Sequence, residues 1–187
     1  MTNISSNGTI LGGWLTNTKH CPSPNFNHRP EGTDISLLVI HNISLPPDQF
    51  DNSYIEHFFC NTLDCTLHPY FESIKDLQVS AHALIKRTGE IIQFVNFNHR
   101  AWHAGRSSFQ GQPECNDYSI GIELEGSDTT PYTEAQYQQL ISTIRKLQHY
   151  YPRITAERIT GHNVIAPTRK TDPGPFFDWS RLQDLDH

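Results

Sequence analysis

No window of the 187-residue sequence approaches the ~18 consecutive apolar residues needed to cross a bilayer. The opening residues, MTNISSNGTILGG, lack both the charged start and the apolar run of about 7 or more residues that a secretory signal carries. These absences point to a cytoplasmic protein without a membrane partner. Basic runs are missing as well: 14 Lys and Arg stand against 20 Asp and Glu, a net charge of −6, which argues against a surface for nucleic acid or acidic lipid. Cysteine is sparse. Cys21, Cys60, Cys65 and Cys115 include no Cys-x-x-Cys pair, and the chain is too long for a small disulfide scaffold, so reduced thiols are expected.

Histidine, by contrast, is plentiful, with eleven in a chain of acidic balance, which invites a search for metal ligands. The length suits one buried core. Residues 1–12, polar and rich in Gly, Ser and Asn, are expected to form a flexible leader, and 13–187 a single domain.

The apolar run Ser36–His41 (SLLVIH) predicts a buried central strand with His41 at its end. Ser53-x-x-Glu56 has the form of a capping box that opens a short helix, and residues 60–77 show no clear period and read as a long loop, with a helical turn as the alternative within it. Two strands joined at the RTGE turn follow, with His82 in the first of them. Residues 98–117 are rich in turn formers and aromatics and read as a loop at the rim of the sheet. In SIGIELE the alternation sends Ile120, Ile122 and Leu124 one way and Gly121, Glu123 and Glu125 the other. Thr133-x-x-Gln136 caps a helix whose Tyr137, Leu140, Ile141, Ile144, Leu147 and Tyr151 share one face. RITGHN suggests another short strand or a turn, and FFDWSRLQDL a terminal helix. The elements support an α/β (α+β) fold in which a central mixed sheet is flanked by helices.

Catalytic zinc sites take three protein ligands and leave a position open; the metal then lowers the pKa of water to about 7 and polarises the scissile carbonyl. In GHNVIAPTRKTDPGP, Gly161 to Pro175, a loop stiffened by three prolines offers His162 and Asp172. His41, held by a buried strand, is a plausible third ligand. Two histidines and a carboxylate also fit the non-haem iron oxygenases, although there the His-x-Asp/Glu pair usually precedes the distal histidine, an order not found here.

LLVIHNISLPP, HPYF, VSAHALI, RAWHAG, CNDYSIGIELEG, YTEAQYQQL and GHNVIAPTRKTDPGP occur in this order along nearly the whole chain. Together they resemble the AmpD-type 1,6-anhydro-N-acetylmuramyl-L-alanine amidases of Gram-negative bacteria. The resemblance implies a zinc amidase fold shared with peptidoglycan recognition proteins. It implies His41, His162 and Asp172 as zinc ligands, Glu123 as proton acceptor and Lys170 as transition-state stabiliser. The implied substrate is an anhydromuramyl peptide, the implied state a monomer, and the implied consequence a limit on β-lactamase induction. Asn42, Trp102 and Arg169 are expected to touch the substrate, while His82 and His103 are expected to support the site rather than ligate. Gln78 and Glu114 stand where the resemblance leads one to expect arginines, which leaves Arg106 and Arg169 for substrate carboxylates. A peptidoglycan-binding module without hydrolysis is the competing reading; such modules usually lose a ligand, and this chain has all three.

Overall fold

The computed structural model describes residues 8–186, and its centre is a six-stranded mixed sheet. The strands are β1 (Lys19–His20), β2 (Leu37–Ile43), β3 (Ala83–Ile85), β4 (Ile91–Gln93), β5 (Ser119–Glu125) and β6 (Ile159–Gly161). Their order across the sheet is β6-β2-β5-β3-β4-β1. The pairs β6/β2, β2/β5, β5/β3 and β1/β4 are parallel, and β3/β4, joined through the Gly89 turn, is antiparallel. The expected mixed sheet is thus present, with the SLLVIH and SIGIELE segments adjacent at its centre.

Side-chain alternation divides the core between the two faces. Leu38, Ile40, Ile120, Ile122 and Leu124 face the long helix Glu134–Tyr150, which returns Tyr137, Leu140, Ile144 and Leu147. That helix starts as its sequence predicts: Thr133 Oγ1 accepts from the Gln136 amide at 3.1 Å, and the Gln136 side chain accepts from the Thr133 amide. On the opposite face Leu37 and Val39 pack against Ala104, Phe109, Tyr118 and Ile165. Farther along that face, Leu84 and Ile92 pack against Ile55, Phe58, Phe59 and Phe71. Leu140 is fully buried, so Leu140→Ala is expected to cost about 2–5 kcal/mol. At roughly 2–4 °C per kcal/mol, thermal unfolding should register this as a fall in Tm of about 4–20 °C.

Three local expectations need correction. The leader is shorter than twelve residues: residues 1–7 lie outside the described residues, but Ile10–Leu11 pairs with Trp14–Leu15 and Ile10 is fully buried in the core. The helix Tyr54–Phe59 forms, yet Ser53 makes no side-chain cap. Glu56 turns inward instead and meets Lys86 Nζ at 3.1 Å, a tertiary ion pair outcompeting a local cap. The segment read as a long loop with at most one helical turn contains two helical pieces, a 3-10 turn, Cys65–Leu67, and a helix, Pro69–Ile74, capped by the His68 ring. Among the described residues no helix is long and apolar enough to cross a membrane, and all four cysteines are unpaired.

Candidate metal centre and its cleft

His41 and Glu123 are register partners on the adjacent parallel strands β2 and β5. Both lie on the face that turns away from the long helix, because they share parity with Val39 and Gly121 rather than with Ile40 and Ile122. The other two residues arrive from one loop. After β6 the chain makes a short helix, His162–Ile165, and turns back until the Asn163 amide donates to the Asp172 carbonyl at 2.9 Å. Gly161 permits this closure, since a Cβ there would come within 2.8 Å of Pro173 Cδ.

His41 Nδ1, His162 Nδ1 and Asp172 Oδ2 form a nearly equilateral triangle with edges of 3.0, 3.0 and 3.1 Å. These three residues are a group able to hold a metal ion. Hydrogen-bond chemistry tests whether they fit one. His162 Nε2 lies 3.1 Å from the Ala104 carbonyl, which only accepts, so the neutral ring keeps its proton there and presents a bare lone pair at Nδ1. That lone pair faces a carboxylate oxygen at 3.1 Å. Two acceptors held this close call for a positive species between them. Ligands of a tetrahedral ion at about 2.0–2.2 Å stand roughly 3.3–3.5 Å apart, close to the spacing found. Burial, opposed by Asp172, pushes the His41 imidazolium down to about 4, so this ring is neutral near pH 7.

Glu123 supplies the second test. Its Oε2 is buried and has no hydrogen-bond partner among the described residues, an orphan aimed into the cleft. Burial first and the neighbouring Asp172 second push its carboxyl well above the ordinary range, with Lys170 acting in the opposite direction. A cation in the triangle and a proton to exchange would suit both groups.

The cleft has a volume of about 900 Å³, and all eight residues singled out from the sequence line it: His41, Asn42, Trp102, Glu123, His162, Arg169, Lys170 and Asp172. One wall is apolar, with Phe58, Phe59, Ile74, Leu77 and Val79. Gln78 also lines the cleft, whereas Glu114 pairs with Arg100 at 3.6 Å. Asn42 has both amide hydrogens engaged, donating to Asp128 Oδ1 at 2.9 Å and to the Pro173 carbonyl at 3.1 Å, which leaves only its Oδ1. The Trp102 indole donates to Asn27 Oδ1 at 2.8 Å, and its half-buried ring forms part of the wall. Arg169 donates through Nη2 to the carbonyls of Ala104 and Arg106 at 2.6 and 2.9 Å. The same Ala104 oxygen accepts from His162.

Several residues that build this site escape a reading by spacing. Arg29 is half-buried and donates to the carbonyls of Asn116, Asp117, Phe97 and Ser119, tying an irregular proline-rich segment to the start of β5. Asn116 Oδ1 accepts from the amides of His103 and Ala104. His82 accepts from the Gly121 amide at Nδ1 and places Nε2 3.0 Å from the His99 carbonyl, so it supports the sheet as expected; burial and Arg29 push it down to about 3. The available signal was Gly121, since a glycine inside a strand marks the close approach of another group.

Comparison with known proteins places the chain among cell-wall hydrolases. The profile of the family described as N-acetylmuramoyl-L-alanine amidase matches residues 31–175. The sequence is 56% identical over 176 residues to the 1,6-anhydro-N-acetylmuramyl-L-alanine amidase AmpD of Enterobacter cloacae, covering 94% of each chain. Among solved structures, a crystal structure of a Se-Met AmpD derivative superposes with a TM-score of 0.92 at 54% identity, covering 95% of this chain and 99% of that one. The Escherichia coli amidase AmiD, solved in complex with anhydro-N-acetylmuramic acid-L-Ala-D-gamma-Glu-L-Lys, matches with a TM-score of 0.63 at 28% identity over 97% of this chain and 66% of its own.

Proposed function

The chain belongs to the N-acetylmuramoyl-L-alanine amidase family, and on that premise we propose that it is a zinc enzyme that hydrolyses the amide between 1,6-anhydro-N-acetylmuramic acid and L-alanine. The carrying observation is the triangle of His41 Nδ1, His162 Nδ1 and Asp172 Oδ2 at the base of a cleft that also holds Glu123 and Lys170. In this reading the three triangle residues hold zinc. The chemistry supplied by the ion when bound is Lewis acidity, which polarises the amide carbonyl and acidifies water.

The rest of the work falls to the chain's own groups. Glu123 takes the proton from the attacking water and passes it to the departing amine of L-alanine; its raised pKa suits a group that must hold a proton in mid-reaction near neutral pH. Lys170, in the same cleft, sets its ammonium against the negative charge that grows on the carbonyl oxygen. Trp102 offers a flat ring to a sugar or peptide plane, and the Phe58–Val79 side gives the apolar wall. With Nη2 held by two carbonyls, Arg169 keeps its remaining guanidinium nitrogens for a substrate carboxylate. A cleft of this volume accommodates a sugar with a short peptide. The unpaired thiols suit a reducing compartment, and we assign the enzyme to the cytoplasm as a monomer.

The test is to incubate purified protein with anhydromuramyl tripeptide, with and without a chelator, and to follow the products by mass spectrometry alongside metal analysis. Free peptide and free anhydro sugar should appear, stop on chelation and return on adding zinc. Stoichiometric iron in place of zinc would overturn the metal assignment. Substrate bound but left uncut by the zinc-loaded protein would make it a binding module.

A further inference from the structure

We infer that His103 is a positioning residue for His41, and that the chain His41–His103–Ser119 holds the His41 ring in the one tautomer able to ligate through Nδ1. The inference rests on the reading of His41 as a zinc ligand. His41 Nε2 lies 2.9 Å from His103 Nδ1, and His103 Nε2 lies 3.1 Å from Ser119 Oγ. The two rings stand edge to face, with centroids 5.0 Å apart at 85°. His41, His103 and Ser119 are all buried, so no bulk water competes for these bonds.

The direction of the chain is set from its ligating end, because the hydroxyl at the other end can donate or accept. A ring that ligates through Nδ1 must carry its proton on Nε2, and at His41 that proton faces His103 Nδ1. His103 can accept there only if its own proton lies on Nε2, where Ser119 Oγ takes it. His162 solves the same problem with a backbone carbonyl, whose acceptor character never changes. At His41 the acceptor is another imidazole, which can accept at Nδ1 only while its own proton sits on Nε2, facing a Ser119 hydroxyl able to accept it. The structure holds that group in place: the Ser119 carbonyl accepts from Arg29 at 2.8 Å, and the His103 amide donates to Asn116 Oδ1 at 3.1 Å. Room for the ring comes from Gly121, where a Cβ would stand 2.4 Å from His103 Cγ and Nδ1.

Zinc competition against a chromophoric chelator, with long-range ¹⁵N–¹H spectra of the histidines, tests the proposal. His103→Leu, which removes the acceptor, should weaken zinc binding by about 10–100-fold. His103→Asn, whose Oδ1 falls near the position of Nδ1, should recover most of that loss, a rescue that a packing role alone would not give. In zinc-loaded wild-type protein the spectra should show His41 and His103 both protonated on Nε2, and Ser119→Ala should shift the His103 signals. Zinc held equally tightly by His103→Leu, or a His103 proton found on Nδ1, would overturn the inference. The wild-type spectrum decides the matter even if a variant fails to fold. Wild-type protein that takes up no zinc would overturn both this inference and the function it rests on, and so is distinguishable from failure confined to the variants.

Discussion

Glu123→Gln is expected to retain zinc at wild-type stoichiometry while kcat falls by about 10²–10⁴-fold. The substitution keeps the volume and hydrogen-bonding shape of the side chain and removes only its ability to exchange a proton. Glu123 is outside the metal triangle, so the ligand set is untouched. Its Oε2 bonds to nothing among the described residues, so no structural hydrogen bond is lost at that atom. The fold should therefore tolerate the change, since an amide of the same shape takes the place of the carboxyl without leaving a former partner unbonded at that atom. Single-turnover rates on anhydromuramyl tripeptide, paired with metal analysis of the same sample, give the readout. Undiminished turnover would remove Glu123 from the mechanism.

Asp172→Ala should act in the opposite way and abolish both zinc retention and hydrolysis. Protein zinc sites bind with roughly 10–16 kcal/mol in total, so the loss of one ligand in three costs on the order of 3–5 kcal/mol, about 10²–10⁴-fold in affinity. The loop itself should persist, because the bond that closes it runs from the Asn163 amide to the Asp172 backbone carbonyl and survives any side chain at 172. Circular dichroism unchanged from wild type, with zinc lost to a weak chelator, is the expected pair of results. Asp172→Ala protein that keeps zinc at wild-type affinity would show that the carboxylate is not a ligand.

The parts of this site that are carried by strands were legible in the sequence, and the physical reason is periodicity. SIGIELE places Glu123 opposite three greasy residues by alternation alone, and the structure puts Ile120, Ile122 and Leu124 against the long helix. SLLVIH likewise reads as a central strand that presents His41. The loop GHNVIAPTRKTDPGP showed its donor set through composition, although the bond that folds it on itself is between backbone atoms and leaves no mark in the side chains. For the same reason Arg29 and Ser119 were not legible as parts of the site, and His103 was legible as a supporting group but not as the partner of His41: their contacts are with carbonyls, amides and one another, drawn from segments far apart in sequence. The capping box at Ser53 failed because Glu56 found a better electrostatic partner in Lys86 across the fold. Asn42 and Arg169 do reach the cleft, but donors that a linear reading leaves free for substrate are engaged by loop oxygens.

The in-register pairing of His41 with Glu123 means that the spacing between a proposed ligand and the proposed base is written into the hydrogen-bond ladder of two central strands. Loops set neither end of that distance. The cleft wall that a glycopeptide would meet is built mostly elsewhere, on the segments around Phe58, Gln78, Trp102 and Arg169. Selection can therefore retune what the cleft accepts, one exposed side chain at a time, without disturbing the spacing that the reaction requires. Chemistry and selectivity are separately heritable in such a design, and drift in one need not be repaired in the other.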